Sequence, residues 1–170
     1  PAYKTYWKPP LSLIKDGNAH LNMTFQTADG KLINTAEMYF EPSVEHKGDT
    51  TILSMRLKAS ADAYLEYRYT LLPDEYMLDY TVSSKGLSSV LKSGQTPIVD
   101  WSIKAFHTEK GLKYENQYTY LSYAYGAKDK VDHLSAGGSD EETIGDAAWF
   151  AFKQQYFSTI LIPQDGLHKA

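Results

Sequence analysis

The chain contains no cysteine. That excludes a disulfide scaffold, a cysteine-ligated zinc site and a thiol nucleophile. It leaves the compartment open, because 170 residues bury a proper core without covalent staples. An excess of basic residues is lacking too. With 17 Lys and Arg against 21 Asp and Glu, the formal net charge is −4, which leaves no electrostatic footprint for nucleic acid. No apolar run approaches the ~20 residues that a membrane-spanning helix requires. The opening Pro1-Ala2-Tyr3-Lys4 is not a translation start and does not lead from a basic stretch into an apolar one. We therefore expect an excised soluble piece of a longer protein. Amphipathic helices are also scarce: only Ser84 to Leu91 offers a short helical turn. The length prior gives a single domain over residues 1–170.

What the chain has in quantity is tyrosine, 14 of them, with aromatics at 14% overall. Such side chains suit the pleated, half-buried surface of a sheet. Turn chemistry punctuates the sequence at Asp16-Gly17-Asn18, Asp29-Gly30, Lys47-Gly48-Asp49, Pro73-Asp74, Lys85-Gly86, Lys110-Gly111 and Asp165-Gly166. Between these points apolar residues alternate with polar ones, the signature of half-buried strands. Leu32 to Phe40 reads as one strand, with Leu32, Ala36, Met38 and Phe40 on a common face. Leu53, Met55, Leu57 and Ala59 alternate with Ser54, Arg56 and Lys58. Leu65, Tyr67, Tyr69 and Leu71 oppose Glu66, Arg68 and Thr70, and after Pro73-Asp74-Glu75 the pattern resumes with Tyr76, Leu78, Tyr80 and Val82 against Met77, Asp79 and Thr81. The two last segments read as a hairpin with Pro73 in its turn, where a missing N–H costs nothing. Val99, Trp101, Ile103 and Ala105 share a face. Lys113 to Tyr125 reads as a long strand whose aromatic parity slips near Tyr120-Leu121, which predicts a bulge there. Trp149 to Ile162 is apolar at both ends and polar at Lys153-Gln154-Gln155. The acidic, small-residue stretch Ser135 to Asp146 reads as a solvated, mobile loop. Strands at hairpin spacing without long helices give an all-β, antiparallel sandwich.

Motifs for catalysis are sparse. There is no Gly-x-Ser-x-Gly, no phosphate-cradling glycine loop and no dinucleotide fingerprint. His20, His46, His107, His133 and His168 are scattered without metal-ligand spacing, and Asp140-Glu141-Glu142 lacks the alternation of a calcium loop. No catalytic, cofactor or metal residue is assigned. His107 sits at a strand end, where with Glu109 or Glu115 it forms the one acid–base pair that can be nominated. The tyrosines carry more weight. Tyr64 lies off the core parity of its strand, and the strand ending at Tyr125 cannot bury all its tyrosines on one face. Tyr64, Tyr118, Tyr120, Tyr123 and Tyr125 are thus candidate partner-binding residues, since exposed tyrosine contributes large contact area with few rotors. They also suit stacking on carbohydrate, and the same residues can instead be wide fillers of curved sheets.

The segments from Asp100-Trp101-Ser102, through Lys110-Gly111-Leu112-Lys113-Tyr114-Glu115-Asn116-Gln117-Tyr118, and above all Trp149 to Ile162, carry a resemblance. Arg68-Tyr69-Thr70-Leu71 and Leu78-Asp79-Tyr80-Thr81 extend it. Over most of the chain this resembles the large periplasmic domain of the YidC/OxaA membrane protein insertase family, in the style of its Bacteroidetes members. The resemblance implies a β-supersandwich related in fold to galactose mutarotases, here shortened at its N-terminal side. It places the domain on the periplasmic side of the bacterial inner membrane, in a parent that is an integral membrane protein. It implies a non-catalytic role through protein contacts, without cofactor, with the Sec component SecDF and nascent membrane proteins as partners. The family's insertion groove and its arginine belong to membrane segments outside this sequence. Two other readings stand beside it: a carbohydrate-binding or mutarotase-like domain, and a purely structural envelope β-domain.

Overall fold

The computed structural model describes residues 2–4, 10–108, 110–126 and 130–170. Fourteen strands are present among them: β1 (Ala2–Lys4), β2 (Pro10–Ser12), β3 (Ala19–Gln26), β4 (Leu32–Asn34), β5 (Glu41–Lys47), β6 (Thr50–Lys58), β7 (Tyr64–Leu71), β8 (Leu78–Lys85), β9 (Ile98–Ile103), then the short helix α1 (Leu112–Gln117), and β10 (Tyr120–Tyr125), β11 (Lys130–Ser135), β12 (Gly145–Lys153), β13 (Ser158–Leu161) and β14 (Leu167–Lys169). The pairings are antiparallel, as the alternating sequence predicts. The chain divides into two compact units, 1–102 and 103–170.

In the first unit, a four-stranded sheet ordered β5-β6-β7-β8 and a three-stranded sheet ordered β4-β3-β9 share one core. Met23 of β3, Leu65 and Tyr67 of β7, and Leu87 are buried at its centre, with Met55, Leu57, Tyr69, Tyr80, Val82 and Val99 packed round them. Those residues lie on the apolar parity of each strand, so the pattern fixes which face turns inward. The alternation of β9 is kept through Val99, Trp101 and Ile103, each less exposed than its neighbours. The hairpin β7–β8 forms in register from Tyr64 opposite Lys85 to Leu71 opposite Leu78, with Pro73 in its connection. Beyond β8, one helical turn brings Leu91 N–H to Leu87 C=O at 2.9 Å. Gly86 opens it at φ +65°, where an added Cβ would stand 2.5 Å from the Asp62 carbonyl. No side chain is compatible with that position.

Two strand expectations fail. Leu32 to Phe40 is not continuous: β4 ends at Asn34, and Thr35–Glu37 form a 3₁₀ turn. The Asn34 side chain causes the break by accepting from Ala36 N–H at 2.8 Å, a local bond that competes with the ladder. Leu32, expected on the core face, is 71% exposed. Lys113 to Tyr125 divides likewise into α1 and β10. Tyr114 and Tyr118, four residues apart, are neighbours on a helix as well as parity mates on a strand, and the helix prevails. The register shift falls opposite β12 between Ala124 and Tyr125, not at Tyr120-Leu121.

The second unit is one sheet ordered β11-β10-β12-β13, with β14 also on β12. Trp149 to Ile162 is a hairpin, closed by the Gln154 N–H donating to Phe157 C=O at 2.7 Å. Tyr123, Ile144 and Ala147 form the buried centre. The acidic stretch is an exposed segment without strand or helix over residues 136–143, as its composition predicts, and it is anchored at its far end. Ile144 exchanges two backbone hydrogen bonds with Ala170, and the Tyr123 hydroxyl donates to Glu142.

Tyr80 offers an energetic test. Its ring stacks on Tyr69 with centroids 4.8 Å apart and meets Tyr67 edge-on at 5.6 Å. Its hydroxyl is buried without a hydrogen-bond partner among the described residues. Burial, reinforced by Tyr69 and Tyr67, pushes the phenol well up from its ordinary value. A buried polar atom left unsatisfied costs about 1–3 kcal/mol. Tyr80→Phe keeps the ring contacts and removes that cost, so it is expected to stabilise the chain by about 1 kcal/mol. Urea unfolding checks this, and a loss of stability would mean the hydroxyl has a partner in solution.

Candidate functional site

The loop from β9 to α1 gathers the polar chemistry of the second unit. Glu115 on α1 is only 1% exposed. Its Oε1 accepts from Thr108 N–H at 2.8 Å and from the Thr108 hydroxyl at 3.1 Å, while Oε2 faces His107 Nδ1 at 2.9 Å. Burial opposes ionisation of this carboxyl, but the donors of Thr108 and His107 outweigh it and hold its pKa below the ordinary value. With Nδ1 committed to the carboxylate, Nε2 is the imidazole nitrogen left for other chemistry. His107 is itself more than half exposed. The nominated pair of His107 and Glu115 is thus brought together, whereas Glu109 lies outside the described residues.

Beside this dyad in sequence stands an aromatic cluster. Tyr114 and Tyr118 on and just after α1 have ring centroids 5.1 Å apart and hydroxyls 3.3 Å apart. They are 56% and 40% exposed, and Tyr156, in the β12–β13 turn, is 66% exposed. The hydrogen bond with Tyr114 is the main cause that raises the Tyr118 phenol, and Tyr156 adds to it. The same turn is tied to the loop before α1 by Gln154 Nε2, which donates to Phe106 C=O at 2.8 Å. Gln155 Nε2 donates to the Tyr156 hydroxyl at 3.0 Å. The cluster presents flat apolar rings with hydroxyls at their rims.

The other nominated tyrosines are placed differently. Tyr64 is half-buried on the polar face of the four-stranded sheet, with the Arg56 guanidinium 4.9 Å and the Lys85 ammonium 6.0 Å from its ring centre. There Arg56 Nε also donates to the buried Glu66 at 2.9 Å. Tyr120 is half-buried between Lys153, 5.3 Å from its ring centre, and His133, at 5.1 Å between rings. Tyr125 is half-buried against Tyr123. Tyr123 is a correction: at 2% exposure it is a core residue, because the parity that sets it off Tyr120 turns it inward opposite Phe150. Tyr114 and Tyr156 were outside the sequence-derived set. The i, i+4 spacing of Tyr114 and Tyr118 was the signal for the first, and nothing local marks the second. Among the described residues no group of three His, Asp or Glu side chains converges on a metal position, and no helix is long and apolar enough to cross a membrane.

Comparison with known proteins gives one answer. The family model described as the YidC periplasmic domain matches residues 2–170. The chain is 37% identical over 163 residues to the "Membrane protein insertase YidC" of Porphyromonas gingivalis ATCC 33277, covering 94% of this chain and 25% of that protein. It is 36% identical to the protein of the same name from Parabacteroides distasonis, covering 96% of this chain and 26% of the relative. It is also 36% identical to that of Chlorobium luteolum, covering 92% and 28%. The chain thus spans about a quarter of the length of the curated relatives it matches. No solved structure matches it.

Proposed function

The chain belongs to the YidC periplasmic-domain family, and from that premise we propose that it is a non-catalytic docking domain on the periplasmic side of an inner-membrane insertase. Its work is to hold protein partners, the Sec component SecDF and nascent membrane proteins, near membrane segments that perform insertion. The observation that supports this reading is the exposed cluster of Tyr114, Tyr118 and Tyr156. Aromatic side chains with hydroxyl rims make good anchors at protein interfaces, because they bury large area at little entropic cost. The single-domain reading of residues 1–170 is part of the same proposal.

The test uses the full-length parent. Tyr114→Ser combined with Tyr118→Ser is expected to lower site-specific crosslinking to SecDF at least ten-fold, with thermal unfolding of the protein shifted by no more than a few degrees. Unchanged crosslinking would remove this surface from the proposal. Deleting the domain then separates docking from direct substrate handling: insertion of a model membrane protein survives in the first case and fails in the second.

The dyad of His107 and Glu115 supports a second reading, a sugar site in which His107 exchanges a proton and the tyrosines stack on the ring. Titration with a hexose at millimolar concentration, followed by NMR, tests it. Shifts confined to residues 106–118 would favour it, and no shifts would eliminate it.

A further inference from the structure

The tip of the β7–β8 hairpin exposes apolar surface that its turn does not require. Leu71 and Leu72 are 45% and 46% exposed, Tyr76 and Met77 72% and 66%, and Leu78 48%. Five large apolar side chains therefore face solvent within eight residues, on a loop whose geometry is already set by Pro73 and by Asp74 at φ +56°. A polar sequence would close the same turn. The tip is also acidic: Asp74, Glu75 and Asp79 are exposed, and no Lys or Arg lies between Leu71 and Tyr80. We propose that this hairpin tip is a docking point for an apolar polypeptide segment flanked by lysine or arginine.

Three features of the tip define that occupant. The apolar residues supply area that is stabilised on removal from water. Met77, unbranched and polarisable, adapts to side chains of varied shape. The carboxylates of Asp74 and Glu75, exposed in the turn itself, are complementary to basic flanks, and such complementarity selects partners and speeds encounter. The same carboxylates oppose a lipid surface, since burying the tip in headgroups would desolvate Asp74 and Glu75 or set them against anionic lipid. The patch is small, so the contact is weak and transient. This site belongs to the first unit and the tyrosine cluster invoked above to the second, and the inference goes beyond that reading.

The experiment uses the full-length protein in phosphatidylcholine nanodiscs. Met77→Cys, in a parent freed of any other cysteine, is labelled with an environment-sensitive fluorophore. A soluble peptide with a Leu/Phe core and two lysines at each end is then titrated. A saturable blue shift is expected, at least ten-fold weaker when glutamates replace the lysines and at least ten-fold weaker when Leu72→Ser is added. Equal response to both peptides, or indifference to Leu72→Ser, would overturn the proposal. A blue shift with phosphatidylglycerol vesicles alone would assign the tip to lipid instead. Failure of the folded protein to label at position 77 would show that the parent covers the tip itself, which also overturns it. None of these outcomes touches the SecDF crosslink, so the two proposals fail separately.

Discussion

Replacing Thr35 by valine is expected to destabilise the chain by about 3 kcal/mol, although it removes one hydroxyl and keeps the side-chain volume. Thr35 is 5% exposed, in the 3₁₀ turn after β4. Its Oγ1 accepts from Met23 N–H at 2.9 Å and from the Tyr67 hydroxyl, also at 2.9 Å. One oxygen thus satisfies a backbone donor of the three-stranded sheet and a side-chain donor of the four-stranded sheet, at the centre of the shared core. Valine orphans both donors, and each buried unsatisfied group costs about 1–3 kcal/mol. Tyr67→Phe alone removes only one donor and leaves Met23 N–H paired, so it is expected to cost about 1 kcal/mol. The double variant should be less destabilised than the two single losses added together, because the second substitution removes a donor the first had stranded. Urea midpoints at constant slope measure all three variants. Simple additivity would mean that Thr35 acts through packing rather than through its oxygen.

None of this was visible in the alternation that located the sheets. Period 2 reports which face is buried, and it placed Leu65, Tyr67, Tyr80 and Val99 correctly because burial of apolar surface decides their orientation. It is blind to interactions that compete locally with a ladder. Asn34 bonding to Ala36 N–H ends a strand at a position where the apolar pattern runs on to Phe40. Parity also assigns polar residues to solvent, and Glu66, 7% exposed, and Glu115, 1% exposed, contradict that because each has found a cationic or hydrogen-bonding partner. Glu115 was nominated with His107 on chemical grounds, yet its burial follows from α1, which the tyrosine spacing could not distinguish from a strand. The family, by contrast, was legible in segments spread over the chain, above all in Trp149 to Ile162. Exposure at the hairpin tip depends on what fails to cover it, so sequence gave only its turn.

Loss of the Glu115 carboxylate should be the other large effect. Glu115→Ala strands Thr108 N–H and removes the acceptor of His107 Nδ1 and of the Thr108 hydroxyl, for an expected cost of about 3 kcal/mol. The half-exposed His107 is rehydrated on losing its partner, which keeps the cost from rising higher. Glu115→Gln keeps the shape and an acceptor for Thr108, so it should cost less at neutral pH, about 1–2 kcal/mol. The two variants part company with acid. Glu115 has a folded-state pKa below its ordinary value of 4.5, because its hydrogen bonds favour the ionised form over the opposing effect of burial. Its contribution is therefore fully present above about pH 4.5 and is lost as the pH falls through the folded-state value. The unaltered chain should lose stability over that interval, and Glu115→Gln should lose less, so that the difference between them narrows on acidification. Asp29, whose carboxyl is lowered chiefly by its hydrogen bond from Thr27, titrates in both proteins and cancels from the difference. Unfolding midpoints measured from pH 7 down to about pH 3 decide the matter. A difference that does not change with pH would mean that Glu115 holds α1 through shape alone. A narrowing difference would establish the carboxylate as the charge that fixes the loop bearing His107.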